Sequence, residues 1–349
     1  MRSGRSERAV SEGPTLIVRV GAMGDVLHAL PAVAALRKQR PDAEIGWVID
    51  PRWAPLLVDE HGLGPVVSRA HLAETKLWSR APISRETMRS VAGLRRELRS
   101  ARYRTAVDMQ GTLRSAVIGR FARAQSFAGF EDPREAVAKA FYSQLFGRRG
   151  VHVVEQGAAL LGDTVGLALQ PVEAALARAE WAENWAAEVV GADRVCVLAA
   201  SAGWGAKQWP VERFAGLAQA LRERGFRVLA NAPRKDDVLA GRLSELSRGE
   251  AEVLVCNVAG LIALQRRAAV VVGGDSGPVH LAAALGVPVV GLYGPTDPAR
   301  NGPWGPGPKR VLRHASSMTS HKRVDEADPG LAAIGVDEVL AAVGDVTGW

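Results

Sequence analysis

The chain switches repeatedly between two periodicities. Apolar, β-branched runs at 15–20, 44–49 and 105–109 have the length and composition of buried strands. After the first of them come a glycine turn and then Val26, Leu27, Leu30, Val33 and Leu36, which fall at helical spacing with Asp25 as a suitable N-cap. Arginine-rich amphipathic patterns predict helices near 84–102, 112–123 and 134–146. The second half repeats the scheme, with strands at 195–199, 226–230, 252–256, 269–272 and 287–292 and helices at 211–224, 235–246 and 276–285. Strands alternating with helices imply parallel, doubly wound sheets. A helical stretch at about 154–190 separates the two series, and Gln170-Pro171 interrupts it. The expectation is therefore an α/β chain of two Rossmann-like domains facing a central cleft. The first domain covers 1–170 and the second 171–330. A C-terminal helix within 331–349, with its amphipathic pattern at 336–343, could join either.

Length and composition fit that picture. A chain of 349 residues, 47% hydrophobic and 23% charged, suits two soluble domains and excludes disordered and fibrous classes. Charge adds an asymmetry. Residues 76–150 hold 16 Lys/Arg against 6 Asp/Glu, an excess of +10, out of a net +7 for the whole chain. Such a field favours an anionic partner, although arginine-rich surface helices alone would also produce it. Few aromatics are interleaved with these arginines, so nucleic acid is not an expected partner. Cys196 and Cys256 lie in separate apolar runs without metal-binding spacing, as buried free thiols in a reducing compartment would. The first fourteen residues lack an apolar core of signal-peptide length, and the stretch around 268–292 is broken by Asp275, His280, Gly and Pro. A cytoplasmic protein, touching a membrane through its basic half, is the expectation.

Three glycine turns carry candidate chemistry. Gly21-Ala22-Met23-Gly24-Asp25 joins a strand to a helix, where open α/β folds bind ligands. Locally, Asp25 could be a helix cap and nothing more, or a carboxylate facing the cleft. In Gly203-Trp204-Gly205-Ala206-Lys207-Gln208-Trp209-Pro210 the lysine could meet a diphosphate as a point charge or be a solvated loop residue, and packing is the commoner role for such tryptophans. Gly273-Gly274-Asp275-Ser276-Gly277-Pro278-Val279-His280 opens a helix whose free N–H groups could bind phosphate, with His280 on the face of Ser276. No Asp-x-Asp metal pair, Walker lysine, GxSxG or HExxH occurs.

Taken in order, Met23-Gly24-Asp25, Asp108-Met109-Gln110-Gly111, Lys207-Gln208-Trp209-Pro210, Asp275-Ser276-Gly277-Pro278-Val279-His280 and Tyr293-Gly294-Pro295-Thr296-Asp297-Pro298 resemble the lipopolysaccharide heptosyltransferases of glycosyltransferase family 9. The last motif and the 132–142 segment look more like heptosyltransferase I than II. The resemblance implies a GT-B fold and transfer from ADP-L-glycero-β-D-manno-heptose to Kdo-lipid A, whose anionic groups would account for the basic half. It implies Asp25 as catalytic base, and Met23, Gly24, Lys207, Asp236, Asp275, Ser276, Gly277 and His280 as donor contacts. Lys76, Arg114 and Arg134 are the implied acceptor contacts. It further implies a monomer, peripheral at the inner membrane, with no metal and no cofactor. Two departures stand out: Ala202 and Gly203 replace hydroxyl residues, and Gln156 replaces an arginine. The alternatives are a family 9 enzyme of type II or with another nucleotide-sugar donor, a nucleotide-sugar epimerase, and a non-catalytic binding protein.

Overall fold

The computed structural model describes residues 13–201, 204–320, 326 and 328–349. The chain divides into two compact units between Ala177 and Arg178. In the first unit the strands are β1 (Thr15–Val18), β2 (Ile45–Ile49), β3 (Arg69–Leu72), β4 (Thr105–Asp108), β5 (Ser126–Phe130) and β6 (Gln144–Phe146). Its helices are α1 (Met23–Gln39), α2 (Thr75–Arg80), α3 (Arg85–Ser100), α4 (Leu113–Phe121) and α5 (Val153–Val165). All strand pairs are parallel and the order is β3-β2-β1-β4-β5-β6.

The second unit repeats the plan. Its strands are β7 (Val195–Ala199), β8 (Arg227–Ala232), β9 (Ala251–Val255), β10 (Val270–Gly274), β11 (Val289–Leu292) and β12 (Lys309–Leu312). Its helices are α6 (Glu180–Val190), α7 (Val211–Arg222), α8 (Val238–Leu246), α9 (Val258–Arg267), α10 (Gly277–Ala284), α11 (Pro298–Asn301), α12 (Pro329–Ala333) and α13 (Val336–Thr347). The parallel order β12-β11-β10-β7-β8-β9 is the first unit's order over again. In both units the chain works outward from the first strand to one edge, then returns to the other side. That reversal leaves a crevice beyond the carboxyl ends of the first and fourth strands, the usual ligand position in such sheets.

The cores explain why these elements form. The central strands β1, β2, β4, β7, β10 and β11 are buried along their whole length, as sheets covered on both faces require. Helix α1 is buried from Met23 to Leu36 except at Gly24 and Asp25, which is why its sequence lacks a strong polar stripe. In the second unit Trp209, Phe214, Leu217 and Leu221 of the α7 region pack with Val339 and Val343 of α13 in one core cluster. The C-terminal helix therefore belongs to the second unit.

Some local expectations are corrected. The helix predicted at 134–146 is a 3-10 turn, Ala136–Phe141, followed by the edge strand β6, because Tyr142 packs on Phe127 and leaves the chain extended. The long helical stretch at 154–190 is α5 and α6 joined by an extended link. Gly166 ends α5 in the left-handed conformation at φ 73°, which glycine adopts without steric cost.

Candidate functional site

In the first unit, the segments following β1 and β4 meet at the crevice. The N-cap of α1 is Ala22, and Asp25 is the third helical residue, not the cap itself. Its Oδ2 accepts from the Ala22 N–H at 3.2 Å, so the carboxylate helps to close the helix start, where the helix dipole favours negative charge. Its Oδ1 is 2.7 Å from Arg19 Nη2, and 38% of the Asp25 side chain is exposed. One carboxylate therefore bonds back into the helix start from the third helical position and keeps part of its surface exposed.

Arg19 was not singled out from sequence. It donates to the Met109 carbonyl, and Gln110 Oε1 accepts from the Val20 N–H at 2.8 Å. Asp108 holds this second strap in place. Fully buried, it accepts from the Gln110 and Gly111 N–H groups at 2.8 and 3.0 Å, from Ser115 Oγ at 2.8 Å and from Tyr142 Oη at 2.7 Å. Desolvation dominates these bonds and pushes the Asp108 carboxyl above the usual carboxylate range, and burial raises the Tyr142 hydroxyl as well. The Asp108-Met109-Gln110-Gly111 motif is thus a buried clamp. Its visible signal was only an Asp at a strand end before a Gln-Gly turn, and Gly111 sits there at φ 71°.

The three predicted acceptor residues lie around α4. Arg114 donates to Ser79 Oγ at 3.2 Å, which ties it to α2, the helix that carries exposed Lys76. Arg134 is exposed on the segment that closes over Gly111, where Glu135 accepts from the Leu113 N–H at 2.8 Å. Gln156 lies inside this unit. Its amide accepts from Arg148 Nη1 at 3.1 Å and donates to the Gly150 and Val151 carbonyls at 3.2 Å.

In the second unit, the loops after β7 and β10 meet in the same way. Lys207 forms an ion pair with Asp275 Oδ2, and His280 Nε2 lies 2.9 Å from Asp275 Oδ1. The side chains of Lys207, Asp275 and His280 are 12%, 9% and 6% exposed. Desolvation would raise the Asp275 carboxyl, but His280 and Lys207 overcome it and hold the group far below the usual carboxylate range. The ammonium also sits 4.2 Å from the centre of the Trp204 ring. Trp209 is a packing residue, as its neighbourhood suggested. Its indole N–H donates to the Ile334 carbonyl at 3.0 Å, which anchors the lysine loop in the core.

Ser276 is the N-cap of α10 but makes no capping bond, and its Oγ is buried without a partner among the described residues. The first-turn N–H groups of α10 likewise have no intrahelical acceptor. Gly274 packs so closely on the lysine loop that an added Cβ would lie 2.5 Å from the Lys207 carbonyl oxygen. A cation, an unfilled hydroxyl and a helix N-terminus thus converge, as anion binding requires. Asp236 follows β8, where a carboxylate in such a unit can meet ribose hydroxyls. It is 80% exposed and lies 3.3 Å from Arg234. Thr296, in the loop after β11, also buries a hydroxyl without a partner among the described residues. Ala202 and Gly203 lie outside the described residues. Among the described residues, no three His, Cys, Asp or Glu side chains gather as a metal cage, and no helix is long and apolar enough to cross a membrane.

Comparison with known proteins follows the same lines. Lipopolysaccharide heptosyltransferase 1 of Pseudomonas aeruginosa is 29% identical over 298 residues, covering 83% of this chain and 81% of the relative. The structure of E. coli heptosyltransferase WaaC with ADP superposes with a TM-score of 0.76 at 25% identity, over 95% of this chain and 99% of that one. E. coli ADP-heptose lps heptosyltransferase II shares the fold with a TM-score of 0.76 at 21% identity, covering 96% and 98%. The two sheets are those of the GT-B fold. The family model for glycosyltransferase family 9 (heptosyltransferase) matches residues 91–330, from α3 of the first unit to α12 of the second. The chain belongs to glycosyltransferase family 9, the heptosyltransferases.

Proposed function

We propose that this enzyme transfers heptose from ADP-L-glycero-β-D-manno-heptose to Kdo-lipid A during assembly of the lipopolysaccharide inner core. The observation that carries the reading is the Lys207–Asp275–His280 cluster beside the unfilled Ser276 hydroxyl and the α10 N-terminus. That site offers a diphosphate one ammonium, one hydroxyl and free backbone N–H groups. Asp275 neutralises Lys207 until an anion arrives and holds it over Trp204, so the cation is already positioned. Gly277 lets the diphosphate approach the backbone, and Asp236 would receive the ribose hydroxyls. Met23 and Gly24, beside the base, would border the sugar end of the donor.

The reaction proposed is a single displacement with inversion. Asp25 takes the proton from the acceptor hydroxyl as that oxygen forms the new bond to the anomeric carbon. The bond from that carbon to the ADP oxygen breaks through an oxocarbenium-like transition state. Lys207 and the α10 N-terminus take up the charge on the departing ADP, so the route uses neither metal nor cofactor. Arg19 and the Ala22 N–H orient the Asp25 carboxylate. Lys76, Arg114 and Arg134 are suited to the acceptor's phosphates and carboxylates. The enzyme would act as a cytoplasmic monomer in peripheral contact with the inner membrane, where such an acceptor resides.

Incubation with ADP-heptose and Kdo-lipid A tests this directly. The expected result is a product heavier by one heptose, seen by mass spectrometry. Transfer that occurs only onto an already heptosylated core, or only from another nucleotide-sugar in a donor panel, would replace this assignment.

A further inference from the structure

We propose that the 81–84 turn and the outer face of α3 form the docking surface for an anionic lipid bilayer. This rests on the membrane contact proposed above and gives it a place on the molecule. Ile83 is 90% exposed and Met88 56%, the first at the tip of the turn and the second in the opening turn of α3. Helix α3 buries Thr87, Leu94 and Leu98 on its inner face and turns Arg85, Arg89, Arg95 and Arg96 to solvent.

These cations are not spent inside the protein. Residues 80–99 carry six arginines against Glu86 and Glu97, a local excess of +4, and Glu97 is engaged with His71 at 2.7 Å. Among the described residues, none of Arg85, Arg89, Arg95, Arg96, Arg99 or Arg123 forms an ion pair. Burial and then the like charges of nearby Arg123 and Arg95 push the Arg99 guanidinium down. A polyanion would relieve that repulsion. The occupant must also accept two bare apolar side chains. Nucleic acid would use stacking aromatics, which are missing from this face, and a soluble phosphate has no use for Ile83. A bilayer supplies both halves: lipid phosphates for the arginines and acyl boundary for the tip.

The full-length protein is to be sedimented with vesicles of phosphatidylcholine alone and of phosphatidylcholine mixed with phosphatidylglycerol. The unaltered protein is expected to bind the mixed vesicles, less so as salt rises, and to leave the neutral ones in solution. Each basic residue near an anionic surface is worth about five-fold in partitioning, so Arg95→Gln with Arg96→Gln is expected to weaken binding about 25-fold. Ile83→Asp is expected to weaken it at every salt concentration. Both changes are at exposed positions, and an unchanged melting temperature verifies the fold. Transfer to a de-acylated acceptor is expected to be unaffected, and an equal loss there would make this face an acceptor site and overturn the proposal. Variants that still bind mixed vesicles at full strength would overturn the assignment of this face while leaving membrane contact standing. Failure of the unaltered protein to bind mixed vesicles would sink the membrane contact itself.

Discussion

Asp275→Asn removes one negative charge from between Lys207 and His280. The ammonium it leaves behind is 12% exposed, so water compensates it poorly. Removing one partner of a buried ion pair costs about 3–5 kcal/mol. The Trp204 ring stays 4.2 Å below the ammonium and retains part of the attraction, so the lower end, about 3 kcal/mol, is the expected loss. Urea unfolding followed by tryptophan fluorescence measures it. The comparison set is Asp275→Asn, Lys207→Met and the double variant. If the two groups stabilise one another, the double variant loses less than the two single losses added, by about 1–3 kcal/mol. The pH dependence provides a second check. The folded Asp275 carboxyl titrates far below its unfolded value of about 3.9. Its contribution is therefore complete above that value and is lost as pH falls through it toward the folded pKa. Below about pH 4 the unaltered protein should lose stability more steeply than Asp275→Asn. A loss under about 1 kcal/mol, strict additivity in the cycle or parallel pH profiles would refute the reasoning.

Asp25→Asn keeps a hydrogen-bonding group at the start of α1 but cannot take a proton. Turnover is expected to fall about a hundred- to ten-thousand-fold while ADP binding, measured by calorimetry, is unchanged. Arg19→Leu leaves the carboxylate in place without its orienting pair. With misplacement on the ångström scale, kcat should fall by up to about a hundred-fold at unchanged donor KM. Asp108→Ala strands the Ser115 and Tyr142 hydroxyls and two backbone N–H groups inside the first unit. A loss of about 3 kcal/mol or more is expected in thermal unfolding, with Asp108→Asn losing less because its amide oxygen still accepts.

What could be read from sequence alone was whatever depends on neighbours in the chain. The alternation of buried runs and amphipathic patterns is a local property, so two parallel α/β sheets and most helices followed from it. The glycine turns at 21–25, 203–210 and 273–280 were legible for the same reason, because a strand that ends in Gly before a helix has few other conformations. The edge strands β3, β6 and β12 were not legible. They are short, partly exposed and polar, and only pairing with an inner strand makes them strands.

The sites divide along the same line. Motif order singled out Asp25, Lys207 and Asp275; how each is held was not legible there. Lys207 and Asp275 are 68 positions apart, and Arg19 reaches the Met109 carbonyl 90 positions away. Such contacts exist because parallel strands bring their carboxyl ends to one edge, and that adjacency is set by strand order. No local pattern encodes strand order. The sequence therefore determined which groups were available for chemistry, and the tertiary structure decided which charges are paired, which hydroxyls are left unfilled and which arginines face outward.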